Sequence, residues 1–130
     1  MKLINLKTYP IHHLGIATTI QDFEKLSVGK NVNIDRTQGV STFFVEDELL
    51  DCYLEYFTIS GRASNYEPGF NHVCYSLPNE TELLSISKLI KDNHFGIQLT
   101  KLEMSGSSEC NRIIFFFLTG IGIVEFNIDD

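Results

Sequence analysis

The chain has 130 residues, enough for one ordinary domain and too few for a separate regulatory domain. Hydrophobic residues make up 43% of the sequence and charged residues 21%, which excludes disordered, collagen-like and coiled-coil proteins. The formal net charge of −7 repels phosphate backbones and anionic membrane surfaces, so we expect neither a nucleic-acid partner nor a membrane partner.

The apolar stretches and the cysteines indicate the cellular compartment in which the protein is expected. No stretch approaches the roughly 20 apolar residues that span a bilayer, and the N-terminal residues lack the apolar run of a signal peptide. We therefore expect a cytoplasmic protein. Cys52, Cys74 and Cys110 are an odd number with no C-x-x-C pair, which predicts reduced, mostly buried thiols and no disulfide framework or thiolate zinc site.

The first half of the chain is predicted to follow the order β-α-β-β-β. Its elements are a strand at 11–17, a short helix ending at residue 26, and strands at 32–34, 40–45 and 49–59. Thr18 or Thr19 is suited to cap the helix, and residues 46–48 are predicted to form a turn. Because strand side chains alternate, Tyr53, Glu55 and Phe57 should share one face.

The second half repeats this order after a loop at 60–69 that is rich in glycine, proline and serine. A strand at 70–77 precedes an amphipathic helix that Asn79 caps, and strands at 97–102, 112–118 and 122–128 follow. The sequence therefore predicts an α+β fold of two tandem β-α-β-β-β modules. Module 1 covers about 9–60 and module 2 about 70–130, within a single domain at 1–130.

Both modules place a histidine early in their first strand and a glutamate in their last strand. His13 aligns with His72, while Glu55 and Glu125 lie in the last strand of their modules. If the modules pack about a pseudo-twofold axis, these side chains converge, and two imidazoles with two carboxylates suit a divalent metal ion. Taken singly, each is more often a surface or hydrogen-bonded residue. His12 is expected on the opposite face from His13, in a structural or surface role.

Three segments resemble the vicinal oxygen chelate superfamily, which includes glyoxalase I, methylmalonyl-CoA epimerase and extradiol dioxygenases. The segment 11–17 is similar to the opening strand of its epimerase-like branch, 71–75 to the second-module counterpart, and 112–118 with 122–126 to the closing hairpin. The resemblance covers nearly the whole chain. It implies a glyoxalase-like domain whose curved, mainly antiparallel sheet surrounds a metal or ligand cleft.

The resemblance also implies a site and an activity. A divalent ion, nickel, cobalt, manganese or zinc, would be bound by His13, Glu55, His72 and Glu125, with Glu125 and Glu55 as candidate catalytic bases. The implied activity is that of a metal-dependent isomerase or lyase, epimerase-like or glyoxalase-like, which abstracts a proton alpha to a carbonyl and forms a metal-stabilised enolate. Its substrate would be a small carbonyl compound or an acyl thioester. The chain is expected to form a homodimer, and the two modules can pair either within one chain or by exchange between two chains.

Two other functions stay open at this point. A non-catalytic small-molecule binding or resistance-type protein can use the same fold. A dioxygenase would need iron with open coordination positions, which Glu55 would partly fill. The epimerases carry a second catalytic acid in an early strand of the first module, and Asp35 is the residue of this sequence that comes closest to that position. Cys74 shares the predicted face of His72, as a neighbour of the site or as a small buried side chain.

The aromatic side chains are assigned mainly to packing. The run 115–117 is expected in the sheet core. Tyr53 and Phe57 flank Glu55, which suits them equally to a pocket wall and to packing inside the sheet. Substrate specificity is expected to depend on loops such as 104–111.

Overall fold

A computed structural model describes residues 6, 9–107 and 109–129. Within this part of the chain two α-helices and nine strands form, in the order β1 Ile11–Thr18, α1 Ile20–Leu26, β2 Asn33–Asp35, β3 Val40–Asp47, β4 Cys52–Thr58, β5 Gly69–Leu77, α2 Glu80–Asp92, β6 Gly96–Gln98, β7 Glu103–Met104, β8 Arg112–Leu118 and β9 Gly122–Ile128. A short 3-10 helix, Gly61–Ala63, lies between β4 and β5.

All described strands belong to one sheet with the order β2-β3-β4-β1-β5-β9-β8-β6, and β7 pairs with β8. The pairs β1 with β4 and β5 with β9 are parallel, and the other described pairs are antiparallel. The two halves meet where β1 pairs with β5, so they associate within one chain. The predicted α+β fold class and mainly antiparallel sheet are confirmed.

The outer face of the sheet packs against the helices. The amphipathic stripe of α2 buries Leu83, Ile86 and Ile90 against outer-face side chains such as Phe116 and Phe126. The shorter α1 buries one residue, Phe23, whose ring lies 5.3 Å from that of Phe43. None of the described helices has the length and apolar character required to cross a membrane.

Both helices begin where a side-chain cap was predicted. Thr19 Oγ1 accepts a hydrogen bond from Asp22 N at 3.1 Å, and Asn79 Oδ1 accepts one from Glu82 N at 2.9 Å. Each cap satisfies a backbone donor that the first helical turn leaves unpaired.

Three strand boundaries differ from the prediction. The predicted turn at 46–48 is wrong, because β3 continues to Asp47 and the turn lies at 48–51, where Asp47 Oδ1 accepts a hydrogen bond from Leu50 N. Asp51 has φ 53°, so β4 begins at Cys52 instead of residue 49. The strand predicted at 97–102 ends at Gln98. Local polarity did not indicate which residues would form the turns.

The inner face of the sheet forms a cup. Hydrogen bonds and an ion pair between the two halves of the chain help to close it. Asn33 Nδ2 donates to the carbonyl of Gly106 at 3.4 Å, and Thr37 Oγ1 donates to the carbonyl of Met104 at 3.3 Å. Arg62 and Glu103 form an ion pair at 2.8 Å between the same regions. The segment around β7 in the second half is thereby held against the first half.

Candidate metal centre

Four neighbouring strands at the middle of the sheet each direct one side chain into the cup. They are His13 on β1, Glu55 on β4, His72 on β5 and Glu125 on β9. Residues paired across strands share a face, and Gly15 pairs with both Glu55 and His72. Cys74 pairs with both His13 and Glu125, which places the four side chains on one face.

The four side chains converge on one point. His13 Nε2 lies 2.9 Å from Glu125 Oε1 and 3.4 Å from Glu55 Oε1. His72 Nε2 lies 3.1 Å from Glu125 Oε1 and 3.6 Å from Glu55 Oε1. The two Nε2 atoms are 3.3 Å apart. The structure thus brings together every residue that the sequence proposed as a metal ligand.

This spacing fits a single divalent ion. Nitrogen and oxygen ligands lie about 2.1 Å from zinc, and two such ligands at right angles are about 3 Å apart. His13 is fully buried, and Glu55, the most accessible of the four, is 9% exposed. Two carboxylates buried together need positive charge nearby, which a divalent ion provides. The four residues therefore form a group able to hold a metal ion.

The hydrogen bond behind the His72 ring supports the same conclusion. His72 Nδ1 lies 2.7 Å from Asn71 Oδ1, an acceptor, so Nδ1 carries a proton. Nε2 is then the ring nitrogen that faces Glu125 Oε1, at 3.1 Å. A metal ion, or in its place a proton, between Nε2 and Oε1 makes this approach favourable.

A β-bulge precedes each metal-facing histidine. The register of β1 and β5 shifts between Ile11 and His13, where His12 is the extra residue on β1. It shifts again between Gly15 and Ile16, where the extra residue on β5 is Asn71. His12 Nδ1 lies 2.7 Å from His13 Nδ1, as Asn71 Oδ1 does from His72. Each bulged residue therefore contacts the ring nitrogen directed away from the centre.

The expected separation of His12 from His13 is wrong for this reason. Alternation along a regular strand would place adjacent side chains on opposite faces, but the bulge breaks that alternation. The His12 ring instead lies 5.0 Å from the His13 ring and 5.5 Å from that of Tyr53.

Gly15 leaves the space that the His72 ring occupies. A Cβ atom at Gly15 would lie 2.1 Å from His72 Cε1 and 2.4 Å from Nδ1, far inside contact distance. Any other residue at this position would displace the imidazole. The glycine is therefore required for the geometry of the centre.

The electrostatics distinguish the ionisable groups. Burial alone would lower the pKa of His13, but the carboxylates of Glu125 and Glu55 raise it above its usual value. The pKa of Glu55 is raised, mainly by burial. The pKa of Glu125 is lowered despite burial, because His13 and His72 stabilise its ionised form. Burial raises the pKa of Cys74 well above its usual range, so its thiol stays protonated.

Aromatic rings enclose the centre. Phe44 lies edge-on to the His13 ring, with centroids 5.5 Å apart. Phe57 and Phe115 lie 5.7 and 5.6 Å from the His72 ring. The rings restrict the motion of both imidazoles and lower the local dielectric. Phe57 therefore belongs to the wall of the site, one of the two roles open to it from the sequence.

A cavity of about 20 Å³ opens beside Glu55 and His72. Its wall consists of apolar and neutral polar residues in addition to these two, namely Gln38, Val40, Phe57, Tyr66, Asn71 and Phe115. A larger cleft of about 350 Å³ borders His12 and Tyr53 and carries several carboxylates. Of the two candidate bases, Glu55 borders the small cavity, whereas Glu125 is not part of its wall.

Asp35, which the sequence offered for the position of the second acid of the epimerases, makes hydrogen bonds within its own turn. Its side chain accepts hydrogen bonds from the backbone N–H groups of Thr37 and Gln38, both at 3.1 Å, and from Gln38 Nε2 at 2.9 Å. Asp35 is 2% exposed and does not border the cavity. It orders the turn after β2.

Several wall residues were not predicted from the sequence. The run 115–117 was assigned to the core, but only Phe116 is buried there, while Phe115 faces the cup and Phe117 is 48% exposed. Alternation along β8, together with the pairing of Phe115 with Glu125, is the signal that could have shown this. Gln38 and Tyr66 lie outside strands, where no periodicity indicates their position.

One buried hydroxyl in the cup has no protein partner. Thr42 is 1% exposed, and its Oγ1 makes no hydrogen bond to any described residue. Thr42 pairs with Phe57 across β3 and β4 and so lies on the face of the centre. A buried hydroxyl without a partner is costly, and a bound ligand or water in the cup would satisfy it.

The fold has solved counterparts, although no protein-family model and no curated protein matches the sequence. A hypothetical protein from Bacillus halodurans is 18% identical over 95% of this chain and 96% of that chain, with a TM-score of 0.67. Methylmalonyl-CoA epimerase from Mycobacterium tuberculosis is 14% identical over 98% and 93%, with a TM-score of 0.66. A catechol 2,3-dioxygenase is 11% identical over 92% of this chain and 40% of that chain, with a TM-score of 0.57.

These similarities identify the fold. The epimerase and the dioxygenase are both members of the vicinal oxygen chelate superfamily, so the resemblance seen in the sequence is confirmed at the level of fold. Members with this one fold carry out different reactions, and the reaction must therefore be argued from the site.

Proposed function

We propose that this protein is a metal-dependent isomerase or lyase that abstracts a proton alpha to a carbonyl. The observation that carries the proposal is the convergence of two imidazoles and two carboxylates, with Nε2 to Oε1 distances of 2.9 to 3.6 Å, next to a cavity that one of the carboxylates borders. His13, Glu55, His72 and Glu125 would hold the ion.

The position of Glu55 suits it to move the proton. A bound divalent ion would draw electron density from a substrate carbonyl and so acidify the adjacent C–H bond. Glu55 then accepts that proton while the C–H electron pair shifts toward the carbonyl, and it returns the proton to a neighbouring carbon or oxygen. Glu125, enclosed between the two imidazoles, keeps their orientation and acts as a ligand.

Metal content tests the site. We expect about one divalent ion per chain in protein purified without a tag or chelator, and loss of that ion in His72→Ala and Glu125→Ala. His94→Asn and Glu67→Gln are matched controls, because both residues are exposed, lie outside the cup and should leave the metal in place. Wild-type protein that stays free of metal after incubation with nickel, cobalt, manganese and zinc would contradict the proposal.

Proton exchange tests the reaction. The metal-loaded protein should catalyse exchange of solvent deuterium into carbonyl compounds, measured by NMR. Glu55→Gln keeps an oxygen ligand but cannot accept a proton, so it should retain the ion and lose exchange by about 10²- to 10⁴-fold. Unchanged exchange in Glu55→Gln would remove Glu55 from the role of base.

The hydrogen bonds that hold Asp35 in its own turn favour one alternative function, that of a non-catalytic small-molecule binding protein, because they keep a second acid away from the cavity. With Asp35 bound to its own turn, Glu55 is the one carboxylate on the described cavity wall. A binding protein of this kind would keep its ligand affinity in His13→Ala. The proposed enzyme would lose substrate binding and exchange together in the same variant.

Two expectations from the sequence accompany the proposal. The ion is nickel, cobalt, manganese or zinc, which suit mixed nitrogen and oxygen ligands. The chain is a homodimer, which light scattering of the metal-loaded protein would test.

A further inference from the structure

The two helices cover the outer face of the sheet unequally. In the second half, α2 has 13 residues, and Leu6, 5% exposed, belongs to the core beneath it. The Tyr9 hydroxyl donates to Glu82 Oε2 of the same helix at 3.0 Å. In the first half, α1 has 7 residues and buries one of them, Phe23. The outer face of the first half is therefore left partly uncovered.

The sequence of the two halves explains this difference. Leu6 stands seven residues before His13, and Asn65 stands seven residues before His72. Asn65 is polar and exposed, so the segment before β5 supplies no apolar side chain equivalent to Leu6. The shorter helix and this polar residue together leave space beside α1.

The uncovered part is a groove of about 370 Å³ beside α1. Its wall is largely apolar and includes Ile16, Ala17, Leu26, Tyr56 and Pro68. Phe70 pairs with Ile16 across β5 and β1, so it points to the same face of the sheet. The Leu26 side chain is 47% exposed and that of Phe70 is 67% exposed. A groove beside an exposed aromatic ring suits contact with another protein chain.

Two opposite charges line the same groove. Asp22 and Lys25 lie three residues apart on α1, and both are exposed. The ion pairs within the described part of the chain are made by other residues. If two α1 helices lie antiparallel across a twofold axis, Lys25 of each copy faces Asp22 of the other. The groove therefore carries charges that complement those of a second copy.

The net charge of the chain makes this balance important. Each chain carries −7, so two copies repel each other unless the surfaces in contact carry compensating charges. The groove meets this condition, because its wall has one acidic and one basic side chain. The cleft near His12 does not, because four carboxylates line it.

We propose that a second copy of this chain docks on the groove beside α1 in a twofold-symmetric contact. Phe70 of each copy fills the groove of the other, and Lys25 of each copy faces Asp22 of the other. The contact lies on the outer face, whereas the four candidate metal ligands face the cup and come from one chain. The inference therefore goes beyond the proposed reaction and is independent of it. It assigns a surface to the homodimer expected from the sequence.

Charge reversal tests the contact in sedimentation velocity experiments over a range of protein concentrations. Wild type should form a dimer. Asp22→Lys and Lys25→Glu should each raise the dimer dissociation constant at least about tenfold, because like charges then face each other. An equimolar mixture of these two variants should dimerise again, because each lysine then faces a carboxylate. Glu24→Lys is the matched control, since it makes the same charge change as Asp22→Lys outside the groove and should leave the dimer intact.

Phe70→Thr tests the aromatic contact. Threonine suits a strand and Phe70 is exposed, so the variant should fold, while its dimer dissociation constant should rise about thirtyfold or more. A wild-type chain that stays monomeric at every concentration would overturn the inference. So would a dimer that resists Asp22→Lys, Lys25→Glu and Phe70→Thr. Failure of the mixed charge variants to dimerise would overturn the reciprocal pairing of Lys25 with Asp22.

Metal content separates this inference from the proposed function. The groove lies outside the cup, so each of these variants should hold as much metal as wild type does. A wild-type chain that takes up no metal but forms this dimer would contradict the proposed function and support the docking surface. A metal-loaded monomer would do the reverse.

Discussion

The two strands that supply the imidazoles can be compared position by position. They read His12, His13, Leu14, Gly15 in the first half and Asn71, His72, Val73, Cys74 in the second. β1 and β5 pair in antiparallel fashion around Leu14 and Val73, so the fourth residue of each of these segments lies opposite the histidine of the other. Gly15 thus lies under His72, and Cys74 lies opposite His13.

The comparison shows that the two equivalent histidines are supported in different ways. In both halves a bulged residue contacts Nδ1 of the histidine. The fourth position differs, because His72 occupies the space that a side chain at Gly15 would need, whereas His13 accommodates Cys74. The geometry of His72 in the second half therefore depends on Gly15 in the first half, which a single-module view would miss.

Gly15→Ala is expected to have the largest effect. The added methyl group would lie 2.1 Å from the His72 ring, and the ring must turn away from the centre. We expect the variant to be purified without metal, as measured by mass spectrometry, although none of the four ligands is changed.

Gly29→Ala is the matched control for this substitution. Gly29 has φ +74°, so alanine there should lower the melting temperature. A Cβ atom at this position would have no atom within 4 Å, so the metal content should stay unchanged. Normal metal content in Gly15→Ala would mean that the His72 ring has room that the structure does not show.

The bulged residues give the next largest effect. Asn71→Ala removes the acceptor that holds His72 Nδ1–H, and we expect metal affinity to fall by about 10–100-fold. Asn71→Asp keeps an oxygen acceptor and should stay near wild type. His12→Asn places asparagine, the bulged residue of the second half, at the bulge of the first half. The variant tests whether the two positions are equivalent. Equal affinities for Asn71→Ala and wild type would show that packing alone orients the ring.

The pH dependence of metal affinity is a third test. Because the pKa of His13 is raised, the metal must displace a proton at any pH below that pKa. Below the pKa of His13, titration calorimetry should show that metal affinity falls by about tenfold for each unit by which the pH decreases. Above this pKa the affinity should no longer depend on the protonation of His13.

The metal-free protein should respond to pH in the opposite sense. A raised histidine pKa contributes stability that is fully present below the unfolded value of 6.5 and is lost as pH rises through the folded value. Melting temperatures with and without chelator should therefore diverge as pH increases. Parallel curves would show that His13 is not the residue whose proton the metal displaces.

Repetition in the sequence is what made the fold and the convergence of the four candidate ligands predictable. His13 and His72 align between two segments of the same order, and period-two alternation correctly placed Glu55 and Phe57 on one face of β4. The amphipathic stripe of α2 and the cap at Asn79 likewise follow from local chemistry. These features depend on neighbours along the chain.

The features that were missed depend on contacts between strands. The position of His12 follows from a bulge that appears only in the register of β1 against β5. Gln38 and Tyr66 reach the cavity from loops, and Asp35 is withdrawn by backbone donors of its own turn. No pattern along the sequence encodes a register shift or a loop path.

Cys74→Ala is expected to have the smallest effect and to decide between two groups of ligands. His12, His13 and Cys74 also lie close enough together to hold an ion. The raised pKa of Cys74 disfavours the thiolate that such a group would require. Because alanine leaves His13 Nε2 and the other three ligands in place, we expect metal affinity to change by less than about threefold. A cobalt-loaded wild-type protein should correspondingly lack a thiolate-to-metal absorption band. Loss of metal in Cys74→Ala, together with such a band in wild type, would assign the ion to the group of His12, His13 and Cys74 and separate it from Glu55.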